Sequence, residues 1–364
     1  MGRMSDSASV LPALYRAWLE PLLGPIANEP RATCSKCAMA NWPGQPPLER
    51  TFDANVKCCS YQPDVPSFLV GRILADDNPL GAGARSVIRQ RIADRVGVTP
   101  LGIAMDPTYR AVYENAPSAF GKAMPLRCPY YVDQDGGLCG IWQHRESVCT
   151  TWFCKFERGA YGRIFWRVIN SLLRMIEVSL RLWVMREVGL SEDAQVDLWT
   201  RLEYERGGRP PLDEHAMKNT TDPDRYRKDW ANFLGREEEY FAKCAEKVQA
   251  LTSDDILRIG GAVVQSAIHT ARFAVEKLKN LGIPERSVPG PMAYFQIRKP
   301  GEVRVRHQGL PFDWYDIPES VATNLPRFER GPVREVLAAL QAEGVPIDEA
   351  MVKKLVEWQV LNQA

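Results

Sequence analysis

The chain has 364 residues, 45% of them hydrophobic and 25% charged, with a net charge of +1. That length allows a large core or several domains, and the balanced charge argues against a strong general affinity for nucleic acid or for an anionic membrane. Eight of the nine cysteines lie between Cys34 and Cys154, so the front of the chain has a chemistry that the remainder lacks.

In chain order, Leu11, Leu14, Trp18, Leu22 and Leu23 fall at helical spacing and predict a short amphipathic helix. Arg16 and Glu20 interrupt the run, which is therefore not an export signal. No window offers about 18 uncharged apolar residues, so no membrane span is expected. The expected compartment is the cytosol, where thiols stay reduced and dense cysteines favour metal over disulfides. The first pair is Cys34-x2-Cys37, whose tight turn lets two sulfurs converge. Lys36 between them lowers the cost of forming thiolate. The adjacent Cys58 and Cys59 cannot easily both reach one ion. Either one ligates while the other packs, or the two face different metals.

A helix is predicted over 84–96, with Val87, Ile88, Ile92 and Val96 on its apolar face, Arg85, Arg89, Arg91 and Arg95 mostly outside, and Gly97 as its stop. Cys128 and Cys139 flank an Asp135-Gly136-Gly137 turn that folds the chain back and brings their sulfurs close. Cys149 and Cys154 follow, spaced by just over one helical turn. Eight thiolates fill two closed four-thiolate sites, or one site with thiols to spare. Zinc and a 4Fe–4S cluster both accept such ligands, and the spacing does not choose between them. His144-Arg145-Glu146 is the densest polar group of the region. In one reading Arg145 donates to cluster sulfurs or to a bound anion while His144 or Glu146 handles a proton. In the other, Arg145 and Glu146 pair and orient the loop.

The stretch from Arg127 to Cys154, with cysteines at 128, 139, 149 and 154, an acidic-glycine turn, Ile141-Trp142 and the arginine step at Arg145, resembles the second half of the YkgJ-type cysteine-cluster family. The upstream pairs resemble its first half. That family is described as zinc- or iron-chelating, and flagellin lysine methylase proteins carry a similar region. The resemblance covers roughly the first 40% of the chain. It implies either a metal-binding module or an iron–sulfur-dependent enzyme that modifies a protein or peptide side chain.

Beyond the cysteines, helices are predicted over 161–188, 193–205, 223–251 and 254–281, the last with Thr252 or Ser253 as its cap. Residues 288–291 read as a Pro-Gly linker. Residues 293–298 and 302–307 read as a hairpin about Lys299-Pro300-Gly301. Short helices over 332–341 and 348–361 close the chain.

The expected fold is mainly α. A loop-rich, metal-stapled cysteine domain takes residues 1–158, a helical domain 159–287, and a small α+β winged-helix-like tail 288–364. The expected metal ligands are Cys34, Cys37, Cys58, Cys59, Cys128, Cys139, Cys149 and Cys154, and the expected function is that of an iron–sulfur or zinc protein. The alternative is a non-catalytic module in which the metal is structural and the tail recruits a peptide or nucleic acid.

Overall fold

The long helix Gly159–Glu187 organises the molecule because its apolar residues repeat at helical steps. Phe165, Ile169, Leu172, Ile176 and Leu180 are all buried along it. Truncating one of these, as in Leu172→Ala, typically costs about 2–5 kcal/mol. The computed structural model describes residues 10–31, 35–40, 52–206 and 214–364; Cys34, expected as a ligand, lies outside them. Within that set the protein is mainly helical, with small antiparallel sheets.

The helix Ser253–Lys279 runs against Gly159–Glu187 and also touches the first helix, Ala13–Leu23. Its start is set by a capping box, in which Thr252 and Asp255 satisfy each other's backbone. The short helix Ser147–Thr151, which carries Cys149, packs on Gly159–Glu187 as well. One contiguous core joins Leu14, Phe68, Ile88, Leu172, Val264, Val305 and Leu355. A separate small cluster forms around Cys37, Met39, Ala40 and Phe52, with Cys58, Phe120, Cys154 and Phe312 packed against it. Among the described residues no helix is long and apolar enough to cross a membrane.

Four expectations change. The helix predicted over 223–251 is two, Pro223–Trp230 and Glu237–Gln249, with a 3-10 turn Ala231–Phe233 between them. Gly235 sits at φ +78°, which a continuing helix cannot accommodate. The stretch read as a linker is partly a strand: Ser287–Pro289 pairs antiparallel with Leu361–Gln363, at the end of what was predicted as the last helix. Arg91 is buried, not outside, because its guanidinium donates to the carbonyls of Val96 (3.1 Å) and Ala104 (2.7 Å). Finally, the tail hairpin Ala293–Lys299/Glu302–His307 gains a third strand, Tyr315–Pro318.

Candidate functional site

Three loop segments and a hairpin are stitched together by backbone bonds, and each carries cysteine. Phe52 donates its N–H to Met39 (2.7 Å), which ties the Cys37 turn to the next segment. Asp53 donates to Gly121 (2.8 Å), and Gly121 donates to the Ser60 hydroxyl (2.7 Å). The Tyr109 hydroxyl donates to the Leu126 carbonyl at 2.8 Å. These bonds bracket Cys58 and Cys59 and lead into Cys128, whose own N–H donates to the Cys59 carbonyl. The chain then turns through the hairpin Tyr131–Val132/Leu138–Cys139, in which Tyr131 pairs with Cys139.

The result is a cavity of about 560 Å³ with seven cysteines on its wall: Cys37, Cys58, Cys59, Cys128, Cys139, Cys149 and Cys154. No disulfide joins two described cysteines. Cys37 is buried and the other six are half-buried. The rest of the wall is largely aromatic and apolar, with Tyr61, Tyr113, Phe120, Trp142, Trp152 and Phe153 prominent. Trp152 is 50% exposed and stands edge-on to Phe120. Among the described residues no three His, Cys, Asp or Glu side chains converge tightly enough to grip a single ion. The thiols are distributed around a space instead.

Cations stand beside these thiols. Lys57 is buried and donates to the carbonyls of Gly136 and Gly137. Lys155 and Arg31 also line the cavity and share the fully buried carboxylate of Asp313. Arg31 reaches it at 3.2 Å, and the Phe156 N–H donates to it at 3.0 Å.

Arg145 reaches the wall, but its donors are committed to the backbone. Nε donates to Trp142 (3.1 Å), and the two terminal nitrogens donate to Cys149 (3.0 Å) and Val10 (2.6 Å). Its guanidinium also lies 3.4 Å from the Trp142 ring centre. Arg145 is thus a loop anchor whose charge faces sulfur, and no bond joins it to Glu146 among those described. Glu146 instead caps Ser147–Thr151, accepting from the N–H groups of Val148 and Cys149. His144 donates from Nε2 to the Asp76 carboxylate at 3.1 Å. Burial holds its pKa below the usual value. Neither His144 nor Glu146 lines the cavity.

The thiols' electrostatics suit a bound cation. Burial is the main reason that Cys37, Cys128, Cys139, Cys149 and Cys154 have raised pKa values. Cys58 goes the other way, held down first by a hydrogen bond with Cys59 and further by Lys57 and Arg145. Buried thiolates need a compensating positive charge, and a metal supplies it while displacing the protons. Soft sulfur donors among aromatic side chains are the donor type that an iron–sulfur centre takes.

Spacing alone missed Lys57, Lys155, Arg31 and Asp313. The first two had a readable signal, because each lysine adjoins a cysteine, as Lys36 does. Arg31 and Asp313 are 282 residues apart, and only the fold brings them together. Comparison with family models, with curated proteins and with solved structures finds no match to this chain. The resemblance drawn from the cysteine spacing therefore rests on the motif itself.

Proposed function

We propose that the thiol-lined cavity holds iron–sulfur chemistry and that the chain is an iron–sulfur-dependent protein with a redox or substrate-activating site. The observation carrying this reading is the distribution of seven cysteines around one cavity of about 560 Å³. A zinc ion draws four donors to about 2.0–2.3 Å from one point, whereas a cluster takes its thiolates at separate iron atoms and needs room between them. The group would supply one-electron transfer. The chain's own residues hold the ligand loops, exclude water with an aromatic wall and place positive charge beside sulfur.

The backbone bonds among the cysteine loops favour an active role over a metal staple, since those loops are already joined without it. The acceptor class implied by the cysteine-cluster resemblance, a protein or peptide side chain, is compatible with a cavity whose rim residue Trp152 is half exposed. A second reading keeps the metal structural and gives recruitment to a winged-helix-like tail. Its support is the edge strand Ala293–Lys299, which exposes Phe295 (49%) and Ile297 (70%).

Anaerobic purification followed by iron, zinc and acid-labile sulfide analysis separates these readings. Iron with matching sulfide and visible charge-transfer absorption is the expected result. A colourless protein carrying stoichiometric zinc would instead support the structural ion.

A further inference from the structure

Arg163, Arg167 and Arg174 of the helix Gly159–Glu187 share one face without a counter-charge. At 3.6 residues per turn these three and Asn170 fall within about 60° of one another, and the stripe from Arg163 to Arg174 runs about 16 Å along the axis. Arg167 and Arg174 are exposed and Arg163 is half-buried. Among the described residues no carboxylate pairs with any of the three. Before its last residue the helix carries one carboxylate, Glu177, which is buried and held by Tyr15 and Ser147. Arg163 and Arg167 stand four residues apart, a like-charge spacing that costs a helix stability, so folding does not account for them. Ile164 (46% exposed) and Met175 (38% exposed) add apolar surface beside the stripe. Two residues of this face touch segments that run into the cavity wall. Asn170 donates to the Thr151 hydroxyl at 2.9 Å, and the next residue, Trp152, is the half-exposed ring on the wall. A Cβ added at Gly309 would meet the Arg163 guanidinium at 2.6 Å, and Phe312, three residues on, lines the same cavity.

We infer that this arginine face docks an acidic segment of a partner protein and lays it beside the Trp152 rim of the thiol cavity. The use of the docked segment as an acceptor rests on the reading above; the docking itself needs no metal. Carboxylates along the segment supply the counter-charges that the stripe lacks, and arginine's planar fork takes a carboxylate through two parallel bonds. Apolar residues between those carboxylates cover Ile164 and Met175. Nucleic acid offers anionic groups too, but it would leave the two apolar side chains uncovered, and the net charge of +1 gives no wider field to hold a polyanion. The chemistry of the face therefore selects a segment that is acidic and partly apolar.

The test uses the anaerobically purified full chain and a fluorescein-labelled peptide of about twelve Asp, Glu and Leu residues, long enough to match the stripe as a helix, with a benzophenone at one end. Fluorescence anisotropy should show binding that weakens as salt is added. The double variant Arg167→Gln/Arg174→Gln should bind about fivefold or more weakly. Arg225→Gln/Arg334→Gln, which removes the same charge from exposed arginines elsewhere, should bind as the native chain does. Equal thermal midpoints show that both variants remain folded. Photo-crosslinks should map to residues 147–156 or 307–313. Equal affinity in the two double variants, or crosslinks elsewhere, overturns the assignment. So does a single-stranded oligonucleotide of equal charge that binds more tightly than the peptide, which would give the face to nucleic acid. Iron and sulfide analysis of the same preparation keeps the two readings apart. Stripe-dependent binding by a chain without iron leaves the docking face standing and sinks the iron–sulfur reading, and an iron-loaded chain that ignores the peptide does the reverse.

Discussion

Lys57 donates from Nζ to the Gly137 carbonyl at 3.0 Å and also to the Gly136 carbonyl. The residue immediately before Cys58 thus clamps the turn two residues before Cys139. Lys57→Met keeps the apolar stem but leaves these carbonyls without that donor, at a cost of about 1–3 kcal/mol. Gly137→Ala attacks the same turn from the other side. Gly137 sits at φ +92°, and an added Cβ would lie 1.8 Å from the Tyr131 hydroxyl. Backbone strain of about 1–3 kcal/mol is expected before any steric term. Urea unfolding should show both losses, and under the iron–sulfur proposal both variants should retain less iron. Unchanged midpoints would mean that the hairpin is held by something else.

Glu29 gives a pH dependence with a definite sign. It is buried, accepts from the Glu157 N–H at 2.8 Å, and faces Arg31 and the Glu157 carboxylate. Burial dominates and raises its pKa from 4.5 to about 7. A carboxyl whose folded pKa is raised binds its proton more tightly in the native state. Its contribution is therefore greatest below the ordinary glutamate value and is lost as pH rises through about 7. Glu29→Gln removes the charge and can still accept the Glu157 N–H. The variant should gain up to about 3 kcal/mol over the native chain on the alkaline side of this window and nearly nothing on the acid side. Thermal unfolding across that range checks it; a gain independent of pH would assign the effect to packing.

The legible parts of this fold were those with a local cause. Phe165, Leu172 and Ile176 mark the helix Gly159–Glu187, and Lys299-Pro300-Gly301 marks its hairpin because a turn's chemistry is written in adjacent residues. The cysteine spacing likewise singled out the loops that gather around the cavity. The unreadable parts depended on partners far along the chain. Nothing in Ser287–Pro289 announces that its strand partner is Leu361–Gln363. The Arg145 side chain next to Glu146 suggested a charge pair, yet the fold offered it three carbonyls instead, and one of them, that of Val10, is 135 residues away.

Asp313 links the tail to the cysteine loops. Its carboxylate accepts from Arg31 and from the Phe156 N–H, two residues beyond Cys154, with Lys155 at 3.9 Å. Asp313→Ala leaves two cations without this counter-charge and an N–H without its acceptor. Breaking a buried pair on one side costs about 3–5 kcal/mol, and the partial exposure of Arg31 places the expectation at or below the lower end. Asp313→Asn, which keeps an acceptor for Phe156, should lose clearly less. Chemical denaturation of the two variants should rank them in that order, and equal losses would show that charge, not the Phe156 bond, sets the cost.

Tyr15 reaches from the first helix to Glu177 on the long helix, donating its hydroxyl at 2.5 Å. The same carboxylate accepts the Ser147 N–H and hydroxyl, both at 2.7 Å. Burial raises the pKa of both Tyr15 and Glu177, so the tyrosine acts as a donor that stays protonated. Because Ser147 lies two residues before Cys149, this network fixes the base of a cysteine-bearing helix that lines the cavity. Tyr15→Phe removes one donor from a buried carboxyl group and should cost about 1–3 kcal/mol. Ser147→Ala removes another, and the double variant should depart from the sum of the two because both act on one acceptor. Strict additivity in a denaturation cycle would show that the two donors act independently. A coupled loss accompanied by weaker iron retention would tie the docking of the first helix to the integrity of the cysteine cavity.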